Sequence, residues 1–203
     1  AGTPSFIRNI YLAGTKEMFS ALEIVVSGAE RAPESLFELV AQKSAAELCE
    51  GYGITECSPV VCVNFPKKKH SGVGQPLTGV KIAIVSEDMQ SECAEGDRGL
   101  ILIQGPNVFA GYLTAASDPF VTFRGERWYN SGDLGFMKDG HLHIAGRLTR
   151  FVKIGGEMIS LPALEDALKL TYPDTKKGPL IALVEVTHDE RSEIVLASAG
   201  STS

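Results

Sequence analysis

Apolar and polar positions follow two different periods along this chain. Residues 22–27, LEIVVS, form a short β-branched run ending at Gly28, Ala29 and Glu30, which reads as a buried strand closed by a turn. A helical period follows. It has Pro33 in its first turn and Leu36, Leu39, Val40 and Ala46 on one stripe running to about Leu48. A second short strand over residues 47–51 leads into the loop GYGITECSP. Strand, helix, strand and loop in that order is the alternation of an α/β layer, where ligands collect beyond the carboxyl ends of the strands.

From Gly72 the texture changes to short apolar runs between turn residues: VKIAIVS over 80–86, GLILIQG over 99–105 and LGFMKDGHLHIAG over 134–146. Asp139-Gly140 between two apolar arms predicts a tight hairpin, and the whole stretch predicts a β-rich subdomain. RFVKIGGEMISL then predicts a glycine-centred hairpin. After it comes a helix with Leu161, Leu164 and Leu168 on one face and Pro162 in its first turn. Two strand-like runs, over 179–186 and 193–198, finish the chain, so the predicted class is α/β plus β.

Composition narrows the functional classes. With 44% hydrophobic and 22% charged residues the chain has the makeup of a folded globular protein. The net charge of −6 disfavours nucleic acid as the main partner, because that binding rests on neutralising phosphates with Lys and Arg. The basic run Lys67-Lys68-Lys69-His70 reads as a solvated loop. No apolar run reaches membrane-spanning length and no leader pattern is visible, so the expected setting is soluble and cytoplasmic. Cys49, Cys57, Cys62 and Cys93 lack metal-site spacing and read as reduced packing residues. Ala1 at one end and a small polar tail at the other read as the ends of a piece of a longer protein.

Two stretches carry candidate chemistry. In GYGITE, Gly51 and Gly53 allow close backbone approach and Tyr52 offers a flat ring. Thr55 adds a hydroxyl and Glu56 a hard oxygen ligand suited to Mg²⁺. A tight turn with a packed tyrosine would read the same way. In WYNSGDLG, Asp133 has two acceptor oxygens that match a ribose diol, although Asp beside Gly is also ordinary turn chemistry. Arg147, past the hairpin's return arm, is placed to add a guanidinium for ribose or phosphate oxygens. His141 and His143 share one strand face but lack a third metal ligand nearby, and the glycines of GVGQPLTG are wrongly spaced for a dinucleotide loop. Phe109, Phe120, Phe123 and Phe136 read as core.

Taken in order, SGAE, GYGITE, GDRGLILIQGPNVFAGYL, WYNSGDLG and GRLTRFVKIGGEMISLPALE resemble the adenylate-forming (AMP-binding) superfamily of acyl-CoA synthetases, luciferases and peptide-synthetase adenylation domains. The wording of YGITECSPVV and FVKIGGEMISLPALE is most similar to the acyl-acyl-carrier-protein synthetase part of bifunctional 2-acylglycerophosphoethanolamine acyltransferases. The resemblance implies the end of a large-domain α/β layer over residues 1–71 and a β-rich distorted-barrel subdomain over 72–147. It implies a hinge and an incomplete small α+β domain over 148–203. It makes Gly28, Ala29, Glu30, Tyr52 and Gly53 adenine contacts, Thr55 and Glu56 phosphate and Mg²⁺ residues, Asp133 the ribose ligand, and Arg147 a ribose or phosphate ligand. Thr149 stands where the family's hinge is often Asp or Lys.

On the same resemblance, Val73 and Gly74 border the acyl chain, and Lys153, Gly155 and Gly156 approach the acceptor thiol. The implied reaction is ATP-dependent activation of a fatty acid and its transfer to an acyl carrier protein or CoA. The resemblance also leaves the parent a place at the inner face of the cell membrane. Two family parts have no counterpart here: the Ser/Thr/Gly-rich triphosphate loop and the late catalytic lysine, for which Lys176 and Lys177 lie too early. The piece is therefore expected to be inactive alone and prone to self-association through uncovered apolar faces. A non-catalytic AMP-binding module and a medium- or long-chain acyl-CoA ligase are the rival readings.

Overall fold

The structure, a computed structural model, describes residues 1–68, 70–113, 118–148, 151–154, 157–172, 181–188 and 191–198. It divides into two compact units, Ala1–Ala145 and Gly146–Ser203.

The first unit opens with a helix that the apolar pattern did not announce. Helix α1, Pro4–Ala13, has Thr3 as its N-cap, with the Thr3 hydroxyl accepting from the Phe6 N–H, and places Pro4 in its first turn. Both are favoured helix-start residues, because a proline lacks only an N–H that has no intrahelical partner there. Strand β1, Ile24–Ser27, pairs in parallel with β2, Glu47–Gly53, and α2, Glu34–Lys43, connects them. Ile7, Tyr11, Val25, Leu36, Val40 and Leu48 are the heart of the core that the two helices close over this sheet.

Three sequence expectations change here. Strand β1 is covered on one face only, since Ile24 is 46% exposed, and α1 with its following turn also leaves Phe6, Ile10, Met18 and Leu22 uncovered. Pro33 caps α2 rather than entering it, and α2 stops at Lys43, where extended Ser44 donates its N–H to the Val40 carbonyl. Strand β2 runs on through Tyr52 and Gly53, because these residues pair with Cys62 and Val60 of β3, Val60–Val63. A short β4, Gln75–Pro76, extends the sheet beyond β3.

The β-rich part is an antiparallel sheet. Its order is β5 (Lys81–Val85), β6 (Gly99–Gln104), β8 (Glu126–Lys138) and β7 (Phe120–Phe123), with β9 (His141–Arg147) pairing on β8. It is a curled half-barrel mixed with few helices, as the predicted class requires. Leu100, Leu102, Ile101 and Ile103 of β6 are all buried, so this strand is covered on both faces. Ile84, Ile101, Ile103, Tyr129 and Leu142 pack with Cys57, Val61 and Cys62 of the preceding segment. Strand β2 therefore enters one core with Leu48 and the other with Tyr52. Phe123 is buried, and Phe109 and Phe120 are half-buried against this second core.

In the second unit β10 (Phe151–Ile154) pairs with β11 (Glu157–Ser160), and β12 (Ile181–His188) pairs with β13 (Arg191–Ser198), both antiparallel. Helix α3, Leu161–Lys169, packs through Leu161 with Val152 and Leu183, and Glu165 accepts the Leu183 N–H at 2.8 Å. Among the described residues no helix is long and apolar enough to cross a membrane.

The β8–β9 hairpin turns where its sequence said it would. Asp139 and Gly140 both have positive φ, at 49° and 74°, the pairing that a two-residue hairpin of the right twist demands. Gly140→Ala should cost about 1–2 kcal/mol, the penalty for a Cβ in the left-handed region. Asp139→Asn should be nearly neutral. Urea-unfolding midpoints of the two variants check this contrast.

Candidate functional site

The expected site residues gather where β2 ends. Ser27 of β1 lies opposite Glu50 of β2, and a Cβ built on Gly28 would lie 3.8 Å from the Gly51 carbonyl oxygen. The Gly28–Ala29–Glu30 turn thus follows β1 directly beside Gly51, with Ala29 at φ 70° and the Ala29 and Glu30 side chains exposed. Gly51 and Gly53 both have ordinary φ, so their value is close approach. A Cβ on Gly51 would meet the Cys62 carbonyl oxygen at 3.0 Å, and one on Gly53 would overlap the Pro59 carbonyl oxygen. That packing lets β3 fold back tightly and aims Tyr52 toward the second sheet.

Across from Tyr52, β8 is distorted. Its register runs from Leu100↔Leu134 to Leu102↔Asn130, so β8 carries extra residues opposite β6 at this point. The Asn130 side chain accepts the Gly132 N–H at 3.0 Å, and the Ser131 hydroxyl accepts the Asp133 N–H at 3.1 Å while donating to the Ile101 carbonyl at 2.9 Å. Such a bulge re-aims a side chain out of the ladder. Here it turns Asp133, only 4% exposed, to accept the Tyr52 hydroxyl at 2.5 Å. Residues far apart in the sequence are joined by this bond. Ser131 and Asn130, the residues that hold the bulge, were not singled out from sequence, although the polar run N-S-G-D just before the hairpin is their signature.

Glu56 lies on a 3₁₀ turn, Thr55–Cys57, that ends in left-handed Ser58 at φ 57°. Thr55 is exposed and Glu56 is half-buried, its Oε1 accepting the Tyr112 hydroxyl at 2.5 Å. Tyr112 and Tyr129 were also missed. Burial, followed by the Glu56 charge, pushes the Tyr129 phenol up.

The remaining expected residues belong to other elements of the chain. Val73 packs half-buried against the second core, and Gly74 stands at φ 93° with its carbonyl accepting the Leu142 N–H at 2.8 Å. Arg147 is exposed at the end of β9, within the second unit. Lys153 lies on β10, whereas Thr149, Gly155, Gly156, Lys176 and Lys177 lie outside the described residues. His143 stacks on Phe136 with centroids 4.7 Å apart and meets the Ser71 hydroxyl at 3.3 Å. Among the described residues no group of three or more His, Cys, Asp or Glu is arranged to hold a metal ion. His70 is not simply solvated, because its Nε2 pairs with Glu47 at 3.0 Å.

Burial around the site raises several proton affinities. Burial and then the Asp133 charge push the Tyr52 phenol far above the usual tyrosine range, so it remains a donor at any physiological pH. Burial likewise pushes the Cys62 thiol up to about 12, and burial followed by the Glu56 charge pushes Cys57 up to about 11. Above the ordinary thiol pKa of about 8.5 the unfolded chain therefore holds fewer protons than the folded one. Stability falls with rising pH under that condition. Each such group adds a slope of about 1.4 kcal/mol per pH unit. Cys62→Ala should flatten the decline in unfolding free energy between about pH 8 and about pH 11. Chemical denaturation at the two pH values reads the difference, and an unchanged slope would contradict the burial argument.

Residues 1–113 match the family model described as AMP-binding enzyme. The chain is 30% identical over 174 residues to 4-coumarate–CoA ligase 1 of Petroselinum crispum, covering 82% of this chain and 32% of that protein. It is 31% identical over 152 residues to a long-chain-fatty-acid–CoA ligase of Bacillus subtilis (strain 168), covering 73% of this chain and 27% of that one. Among solved structures, ATP-bound MatB from Rhodopseudomonas palustris superposes with a TM-score of 0.76 at 25% identity, over 99% of this chain and 41% of the other. The chain thus spans about a third of the length of the curated relatives it matches.

Proposed function

The chain belongs to the AMP-binding enzyme family, and on that premise we propose that it is the adenosine-binding portion of an ATP-dependent acid–thiol ligase acting on fatty acids. The observation that carries this reading is the buried Asp133 carboxylate, oriented by the Tyr52 hydroxyl and joined through β2 to the Gly28 turn. A carboxylate shielded from water and already aligned is suited to take both hydroxyls of a ribose. The Tyr52 ring and the backbone of Gly28, Ala29 and Gly53 would face the adenine. Lining of the acyl channel by Val73 and Gly74, and thiol contact by Lys153, Gly155 and Gly156, belong to the same proposal.

In the proposed reaction a fatty-acid carboxylate oxygen attacks the α-phosphorus of ATP, the bond to the β-phosphate oxygen breaks and pyrophosphate leaves. A thiolate then attacks the acyl carbonyl, forming the thioester as AMP departs. Positioning and charge stabilisation do most of the work in such transfers. Thr55 and Arg147 would bind phosphate and ribose oxygens. Mg²⁺ is usually held by one or two carboxylates together with substrate phosphates rather than by a protein cage. Glu56 fits that role: Tyr112 donates to its Oε1, and among the described residues no group of three or more His, Cys, Asp or Glu forms a closed metal site. Bound there, the ion would neutralise phosphate charge. The relatives' names favour CoA as the acceptor over an acyl carrier protein.

The 203 residues include neither a Ser/Thr/Gly-rich loop ending in Lys-Gly nor a match to the late lysine. Losing even one preorganised donor typically lowers such rates by about 10²–10³. The isolated chain should therefore bind AMP but release no pyrophosphate above background when given Mg-ATP and a fatty acid. Asp133→Ala should weaken AMP binding by roughly ten- to hundredfold in calorimetry. Unchanged affinity in that variant would remove the ribose assignment, and pyrophosphate release at the rate of an intact ligase would remove the claim of incompleteness.

A further inference from the structure

Residues 105–113, the loop leaving β6, do more than connect strands. The Asn107 Nδ2 donates to two carbonyls of the segment around Glu56, those of Cys57 at 3.0 Å and Val60 at 2.9 Å. The Phe109 N–H donates to the Glu56 carbonyl at 2.8 Å, and the Tyr112 hydroxyl donates to Glu56 Oε1 at 2.5 Å. Main chain and side chain of the same glutamate are thus gripped from one loop. The loop itself is braced: Phe109 meets Tyr112 edge-on at 4.8 Å and packs against Phe120 and Tyr129 at 5.7 Å each. A 3₁₀ turn has few internal bonds of its own, so outside donors decide where its side chains point.

We infer that residues 105–113 act as a splint for the Thr55–Cys57 turn, with Tyr112 and Asn107 as positioning residues that fix the Glu56 carboxylate for a divalent cation carried by the nucleotide. This rests on the reading of Glu56 given above and adds to it the means by which that side chain is held. A half-buried glutamate with free rotamers must be ordered when the cation arrives, whereas a pinned one meets it ready-made.

The test is calorimetry on the 203-residue chain, comparing AMP without metal and ATP with Mg²⁺. Tyr112→Phe removes one hydroxyl and no packing volume. It should leave metal-free AMP affinity within about twofold and lower the Mg²⁺-dependent gain about five- to tenfold. Asn107→Asp, which sets a carboxylate against two carbonyl oxygens, should act in the same direction. Glu56→Gln separates the two layers of the argument. If Glu56→Gln abolishes the gain while Tyr112→Phe leaves it intact, the splint is wrong and the Glu56 reading stands. A gain that survives Glu56→Gln, or is missing from the unaltered chain, removes both. Equal loss of metal-free AMP binding in Tyr112→Phe would reduce the loop to plain scaffolding.

Discussion

A phenol hydroxyl donated to a nearly water-free carboxylate, Tyr52 to Asp133, fixes how the two sheets of the first unit meet. An ionised carboxylate stripped of water is costly unless donors replace the lost hydration. Tyr52 supplies one such donor from a strand that belongs to the other sheet. The donor in turn depends on β2 leaving the helical core at Leu48 and reaching the β core with its side-chain alternation intact. Anything that shifts β2 by one residue turns the ring to the opposite face. The candidate nucleotide site thus inherits its geometry from sheet register more than from any loop.

Around that bond the chemistry is arranged in two kinds of support. Backbone distortions aim the side chains: the bulge at Asn130–Asp133 on one side and the close packing of Gly53 on Pro59 on the other. Side chains then hold what has been aimed: the Ser131 hydroxyl accepts the Asp133 N–H, and the Tyr112 hydroxyl donates to Glu56. Both supports leave each carboxylate facing a phenol hydroxyl, Asp133 facing Tyr52 and Glu56 facing Tyr112.

Much of the fold was legible from periodicity. The β8–β9 hairpin follows from Asp139-Gly140, and α3 from the spacing of Leu161, Leu164 and Leu168 with Pro162. Helix α1 was not seen, because its apolar residues Phe6, Ile10 and Leu12 are spread around the cylinder and partly exposed, which blurs the stripe. The end of α2 was read too late since Ala46 continued the apolar spacing, and only the extended Ser44 shows that the helix had already stopped. Strand β7 lacked a clean alternation in FVTF. For the site, residue types in GYGITE and GDLG marked two segments that the structure brings together at Tyr52 and Asp133. The contact between them, and the roles of Ser131 and Tyr112, depend on pairing between distant strands that no local pattern encodes.

Strand β2 and the bulged part of β8 form one mechanical unit although some eighty residues separate them, as the Tyr52–Asp133 pairing requires. Recombination between relatives is therefore constrained in a way the linear sequence hides. A crossover between residues 53 and 130 would join a tyrosine from one parent to a carboxylate shaped by another, with bulge and strand register no longer matched. Exchanges that begin before β2 and end after β9 carry both halves together. In such shuffled chains, ancestry should switch at those outer borders.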